Sequence, residues 1–209
     1  MMRGENMAVK NHSLDSKIVR SARKEFLEHG YSKASLHKIA SNAGITTGAL
    51  YTRYKNKDDL FSSLIEGALE EIKKNFEPFS QMYKEVEKTK DPDLFLDVIR
   101  KERDVYLDFL FNYYTECVLM FCKSEGSSID IMTKEMMQYK SLSTVEFLKS
   151  ISKKDANFDG IEFIMQVQYD YFKRIIESGC DREKAVSCMR TAETFFEAGW
   201  RDLFKRILP

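Results

Sequence analysis

The stretch SLHKIASNAGITTGALYTRYKNK, Ser35 to Lys57, decides the fold. Ile39, Ala40 and Ala43 share one face of a helix expected from about Ser35 to Ala43. Gly44 supplies a sharp turn where a larger side chain would hinder two helices from meeting. Ile45 fills the angle, and Thr46 is a good cap for a second helix. In that helix Leu50 and Tyr54 point inward at i and i+4. Thr47, Gly48, Ala49, Tyr51, Thr52 and Arg53 are left for its outside or its ends.

Small and hydroxylated residues at the start of a second helix let the backbone approach base edges in a major groove. Such a helix also needs phosphate clamps on each side. Ser35, His37 and Lys38 can supply one clamp; Tyr51, Arg53, Lys55 and Lys57 can supply the other. By pattern alone, a generic helical hairpin with a solvated basic face remains open.

Working outward, Leu14, Ile18, Ala22 and Phe26 are spaced by four, which predicts a helix capped at Ser13 and closed near Gly30. Leu60, Leu64, Ala68 and Ile72 predict one longer helix from Asp58 to about Phe76. Pro78 and Pro92 bound a polar segment, read as a continuation or a loop. From Asp93 to Phe121 the chain is rich in Phe, Tyr and Leu; Ser124 to Ser128 breaks it, and a Met-rich stretch runs to about Ile151. Ile161, Met165, Gln168, Phe172 and Ile175 form a row, with Phe163, Val167 and Tyr171 on a second face. Ala185, Met189, Ala192, Phe196, Gly199 and Leu203 form another row, widened by Phe195 and Trp200. Rows spaced four-three suit helices packed at small crossing angles. The expected fold class is all-α.

The 209 residues suffice for one or two domains with a sizeable core. The formal net charge is 0, but it is unevenly distributed. Met1 to Leu60 holds 11 Lys/Arg against 6 Asp/Glu, and the remainder 22 against 27. A basic head on an acidic body predicts that the head alone meets a polyanion. No run is long enough to span a bilayer, and Met1 to Lys10 lacks the apolar core of a signal peptide, so a cytoplasmic protein with no membrane contact is expected. Cys117, Cys122, Cys180 and Cys188 sit in apolar contexts without metal-ligand spacing; free thiols are expected, with no metal and no cofactor. There is no Gly-rich phosphate loop, nucleophile elbow or His–acid cluster, and His12, His29 and His37 all lie in or near the head, which argues against an enzyme. A helical protein-interaction domain without specific DNA binding is the alternative; it would not need the basic head.

The head resembles the N-terminal domain of the tetracycline-repressor (TetR) family. The resemblance rests on Phe26, Gly30-Tyr31, Ser35-Leu36, Ile39-Ala40, Ala43-Gly44-Ile45-Thr46, Gly48, Leu50-Tyr51, Tyr54, Asn56-Lys57 and Leu60, at fixed spacing without a gap. It covers about Leu14 to Leu64. Three departures keep their roles: Ser35 for a threonine, Arg53 for a histidine or tyrosine, and Tyr54 for a phenylalanine.

The resemblance implies a flexible arm over 1–12, a three-helix DNA-binding domain with a helix-turn-helix over 13–60, and a helical ligand-binding and dimerisation domain over 61–209. It assigns DNA contacts to Ser35, His37, Lys38, Thr46, Thr47, Gly48, Ala49, Tyr51, Thr52, Arg53 and Lys57, with Tyr51 and Lys57 on phosphates and Thr47, Ala49 and Thr52 facing bases. The last two helices would pair two copies through Ile161, Phe172, Ile175, Ala192, Phe196, Gly199 and Leu203. A pocket for a small-molecule effector is implied at Tyr106, Phe109, Tyr113, Glu116, Cys117, Met120 and Phe121, at Met136 and Tyr139, and at Met165, Gln166 and Tyr169. Aromatics and methionines at helical spacing are equally the makings of a plain core, and Glu116 can pair with a cationic ligand or face water. The implied function is a regulator, most simply a repressor, that binds a palindromic operator as a homodimer and is released by its effector.

Overall fold

The computed structural model describes residues 12–153 and 156–208. All of the expected N-terminal arm but His12 lies outside them. Among the described residues there are ten helices and no strand. Helix α1 spans His12–Lys33, α2 Leu36–Ala43, α3 Thr47–Tyr51 and α4 Lys57–Ser63. Helix α5 spans Glu66–Thr89, α6 Pro92–Asn112 and α7 Tyr114–Cys122. Helix α8 spans Ser128–Ile151, α9 Ile161–Ser178 and α10 Arg182–Ile207.

The head is built around Ile18, Ala22, Phe26, Ile39, Ala40, Ala43, Leu50, Leu60 and Phe61, all buried. Phe26 meets Phe61 edge-on at 4.9 Å between ring centres, and Tyr31 meets the same Phe61 at 5.2 Å. Full burial of one such ring contributes about 1.5–3 kcal/mol. Backbone groups at the helix ends are satisfied by side-chain caps, Thr46 among them as expected. The Ser35 side chain accepts from Lys38 N–H, Thr46 from Ala49 N–H and Asn56 from Asp59 N–H. Glu25, itself buried, accepts from Ser35 N–H at 2.9 Å, and the Ser21 hydroxyl donates to Ile39 O. These two contacts tie α1 to both ends of the first half of α2.

The apolar residues form two clusters. The first joins the head to Leu107, Phe109, Leu110, Cys117, Leu119, Met120, Phe121, Ile175, Ile176 and Ala185 of the body. The second, at the far end, holds Phe79, Phe95, Phe147, Trp200 and Phe204 with their aliphatic neighbours.

Several boundaries differ from the sequence reading. Helix α1 is already helical at His12, one residue ahead of the cap expected at Ser13. Gly30 leaves the helical region at φ 73° and ψ 165°, and one further turn follows it. The helix expected from Asp58 to Phe76 is broken at Leu64–Ile65, between α4 and α5. Both residues are buried in the first cluster, so packing against α1 takes precedence over helical continuity. Helix α5 runs straight past Pro78 to Thr89. Pro78 is exposed, so the carbonyl it leaves unpaired can meet water, while Phe76 and Phe79 pack against each other beside it. The aromatic stretch from Asp93 to Phe121 is two helices, parted at Tyr113.

Gly44 sits at φ 74° and ψ 30°, and its N–H is shared between Ala40 O and Ser41 O. Left-handed backbone costs a residue with a Cβ about 1–2 kcal/mol. Gly44→Ala is therefore expected to lower unfolding free energy by about that amount in urea titration. Gly48→Ala, within a helix and with its nearest non-local atom 3.8 Å from the added carbon, should leave stability unchanged or raise it by up to about 1 kcal/mol.

Candidate nucleic-acid interface and body cavity

The turn at Gly44 and the cap at Thr46 present α3 at the molecular surface. Leu50 anchors it inward, 1% exposed. Thr46, Gly48, Tyr51, Thr52 and Arg53 are exposed, and Thr47 and Ala49 are half-buried. Tyr51 shows 52% of its surface. On one side of α3 lie Ser35, the cap of α2, and the exposed His37 and Lys38. On the other lie the exposed Lys55 and the half-buried Lys57. The eleven residues expected to meet DNA thus cluster around one short helix.

Arg53 and Lys57 are already held by α1. Arg53 Nε donates to Asp15 Oδ1 at 3.1 Å, which fixes the guanidinium against α1. Lys57 Nζ donates to Ser32 O at 3.1 Å and stands over the Tyr31 ring at 4.9 Å. Partial burial lowers the Lys57 pKa, and the nearby Glu25 opposes that shift. Thr52 donates its hydroxyl to Ala49 O, so its methyl group and lone pairs remain for an outside partner.

Three polar contacts join head to body. Arg23 pairs with Glu116 at 2.8 Å, Tyr31 N–H donates to Lys123 O at 2.7 Å, and Ser128 N–H donates to Asp58 Oδ1 at 2.8 Å. Gly30 makes the second possible. Its φ of 73° turns the chain, and a Cβ there would sit 3.8 Å from Lys123 O. Glu116, read from sequence as facing water or a cationic ligand, is instead committed to Arg23 and only 17% exposed.

The body contains a cavity of about 190 Å³ between α6, α8, α9 and α10, reached by Phe121 of α7. Of the residues expected there, Tyr106, Phe121, Met136, Met165 and Tyr169 line it. Phe109, Cys117 and Met120 do not: they are buried in the first cluster. Burial pushes the Cys117 thiol up to about 12. Tyr113 ends α6 and stacks on Phe109 at 5.1 Å. Tyr139 is 74% exposed, and the exposed Gln166 donates to Asp170. Phe, Tyr and Met at helical spacing reveal that a surface is apolar, not which neighbour covers it.

The sequence reading missed the polar part of the cavity wall. Glu102 Oε2 accepts from Lys140 Nζ at 2.6 Å and from Tyr83 Oη at 2.8 Å. Lys140 lies 5.7 Å from the Tyr106 ring centre. Burial is the largest influence on Lys140 and opposes its charged form, but Glu102, Tyr106 and Tyr83 together reverse it and raise the pKa; burial also raises that of Tyr106. Arg103 pairs with Glu193, and Arg100 with Glu197 at 3.2 Å. The available signal was Glu102 itself, three residues after Ile99 and four before Tyr106, a carboxylate in the apolar register of its helix.

The residues expected to pair two copies fall differently too. Ile161 and Ile175 are buried in the chain's own cores, and Phe172, Ala192 and Phe196 face the cavity. Leu203 is half-buried against the second cluster, while Gly199 is exposed with nothing within 4 Å of an added Cβ. Within the α9 row Ile161, Met165 and Ile175 are buried in the chain's own core, while Gln168 and Phe172 are half-buried. What faces outward on α9 is Phe163, Ile164 and Val167, and on α10 Phe195.

Residues 18–64 match the family of bacterial regulatory proteins, tetR family. The head of the chain thus carries this family's N-terminal domain. The TetR head is 42% identical over 48 residues to the HTH-type transcriptional repressor BepR of Brucella suis biovar 1, covering 23% of each chain. Over 63 residues it is 35% identical to the uncharacterized HTH-type transcriptional regulator YhgD of Bacillus subtilis, 29% of this chain and 33% of that one. The matches therefore span a third or less of those relatives' own lengths. Likeness over the whole chain is one of fold. A TetR-like transcriptional regulator from Rhodococcus sp. RHA1 superposes with TM-score 0.59 at 15% identity, over 91% of this chain and 99% of that one. A TetR family transcriptional regulator from Chloroflexus aurantiacus gives 0.58 at 17% identity over 100% of both. The three-helix head with its helix-turn-helix and the all-helical body are the family's fold. Among the described residues no helix is long and apolar enough to cross a membrane, and no group of His, Cys, Asp and Glu could hold a metal ion.

The Arg23–Glu116 contact is partly solvated, with side chains 36% and 17% exposed. Such pairs contribute at most about 1 kcal/mol. A double-mutant cycle of Arg23→Ala and Glu116→Ala in urea unfolding should give a coupling energy no larger than about 1 kcal/mol. A larger value would mean that the head is anchored chiefly by this contact and not by the shared apolar cluster.

Proposed function

We propose that this TetR-family transcriptional regulator reads a palindromic operator as a homodimer, acts as a repressor, and is released when a small molecule enters the body cavity. Residues 13–60 read the DNA; residues 61–209 sense and dimerise. One observation carries this reading. The exposed face of α3, flanked by Lys38, Tyr51 and Lys55, stands on a head whose apolar core continues into α7, and α7 places Phe121 in the cavity wall.

One head offers few contacts. Two heads about 34–36 Å apart would meet successive major grooves on one side of the duplex. The exposed faces of α9 and α10 supply apolar area for pairing, and Gly199 allows close helix approach. A ligand that favours the head spacing unsuited to the operator weakens DNA binding through its differential affinity for the two states. A hundredfold loss needs about 2.7 kcal/mol. Burial of one aromatic ring can supply most of that.

A gel shift against DNA upstream of the chain's own gene tests the reading. Affinity should fall with salt, the logarithmic slope steepening by about 0.9 per phosphate contacted. Tyr51→Phe with Lys38→Ala should weaken binding to every sequence and flatten that slope by roughly 1 to 2. Thr47→Ala should instead change which sequences are preferred. A salt-independent shift would count against DNA reading.

Pairing has its own check. Phe163 and Phe195 are 77% and 75% exposed, so Phe163→Glu with Phe195→Glu should leave helix content intact by circular dichroism. In sedimentation the variant should run as a monomer, and its operator affinity should fall by more than about tenfold, since each half-site is then bound alone. A variant that stays dimeric would move the interface elsewhere.

A further inference from the structure

The cavity's charge arrangement narrows what can occupy it, given the proposal above that it is the effector site. Six charged side chains reach its wall, and each is already paired within the chain: Lys140 with Glu102, Arg103 with Glu193, and Arg100 with Glu197. Apart from the uncharged Gln168 amide and the tyrosine hydroxyls, the remaining wall is apolar, chiefly aromatic rings such as Phe121, Phe172 and Trp200 with Met136 and Met165. An ion entering this space would lose its hydration and find no free counter-charge; to obtain one it would have to break an existing pair and strand the other partner. An uncharged ring loses little hydration and gains contact with aromatic faces and polarisable sulfur. The volume of about 190 Å³ is somewhat larger than the roughly 150 Å³ that accommodates a benzene ring.

We propose that the cavity binds an uncharged aromatic molecule of one or two rings and discriminates against carboxylate and ammonium molecules of the same size. The paired charges act as the selectivity device: they keep the wall locally neutral while their stems help to close it. Glu102 is the centre of this device, because its carboxylate holds Lys140 and Tyr83 together at the back of the cavity.

Isothermal titration calorimetry of the full chain with 2-naphthol, 2-naphthoate and a naphthyl-trimethylammonium salt at neutral pH tests the proposal. The naphthol should bind at least about tenfold more tightly than either ion. Glu102→Gln frees Lys140 and should strengthen naphthoate binding by about tenfold while leaving the ammonium salt weak. If that variant does not fold, Glu193→Gln removes the partner that Arg103 has on α10, leaving it only the exposed Asp104, and should act in the same sense. The proposal is overturned if either ion matches the naphthol on the unaltered chain, if none of the three binds, or if the folded variants leave naphthoate binding unchanged. Operator binding by the empty chain is read separately in the gel shift, so its loss would remove the regulator reading without altering the cavity's selectivity.

Discussion

The packing of α1 against both the rest of the head and α7 is the constraint on which the remaining structure depends. Phe26 closes the head from inside, stacked among Phe61 and Tyr31. One turn later the chain bends at Gly30 and hands Tyr31 N–H to Lys123 O in the body. A single apolar cluster therefore contains the anchor of the reading helix, Leu50, and the residues of α7 that lie next to the cavity. The apolar packing runs from head to body without a polar hinge between them. A displacement of α7 by the width of a ring would have to be accommodated in α1, because close-packed interiors transmit strain rather than absorb it.

The head was almost fully legible in the sequence. Short-range rules determine it: a hydroxyl at each cap, a glycine where the backbone turns left-handed, and aliphatic residues at helical spacing. Ser35, Gly44, Thr46 and Asn56 each do what their residue type does in isolation. The body was legible as helices but not as surfaces. Ile161 and Ile175 form as regular a row as any interface, yet their neighbours cover them. Glu116 sits among apolar residues like a ligand-facing acid, yet its partner Arg23 is 93 residues away. Long-range pairing of this kind leaves no local trace. Of the two readings left open after Pro78, continuation holds: the missing hydrogen bond lies on the wet side of a long helix, and Phe76 and Phe79 pack on each other beside it.

The cavity wall shows a second way in which local reading falls short. A lysine, two arginines and three glutamates suggest a strongly polar site when counted by residue type. Their geometry reverses that impression, since each cation spends its charge on a neighbour. Tyr83 and Lys140 converge on one carboxylate from helices far apart in sequence, which also makes Glu102 a structural clasp between α5, α6 and α8. These six charges sum to zero, so the acidic excess of the body is carried by its other residues. Among the described residues the lysines and arginines of the head are exposed or half-buried, so its basic excess lies on the surface.

The division of apolar residues into two clusters has a consequence for how the molecule reports on itself. Trp200 is the only tryptophan, and it belongs to the cluster farthest from the head, packed on Phe95 and Phe204. Indole emission therefore watches one end of the molecule. The head is silent in that channel and speaks through tyrosine and through its share of the helical signal. If the two clusters open as separate cooperative units, emission and ellipticity will follow different curves, and their divergence will tell which end yields first.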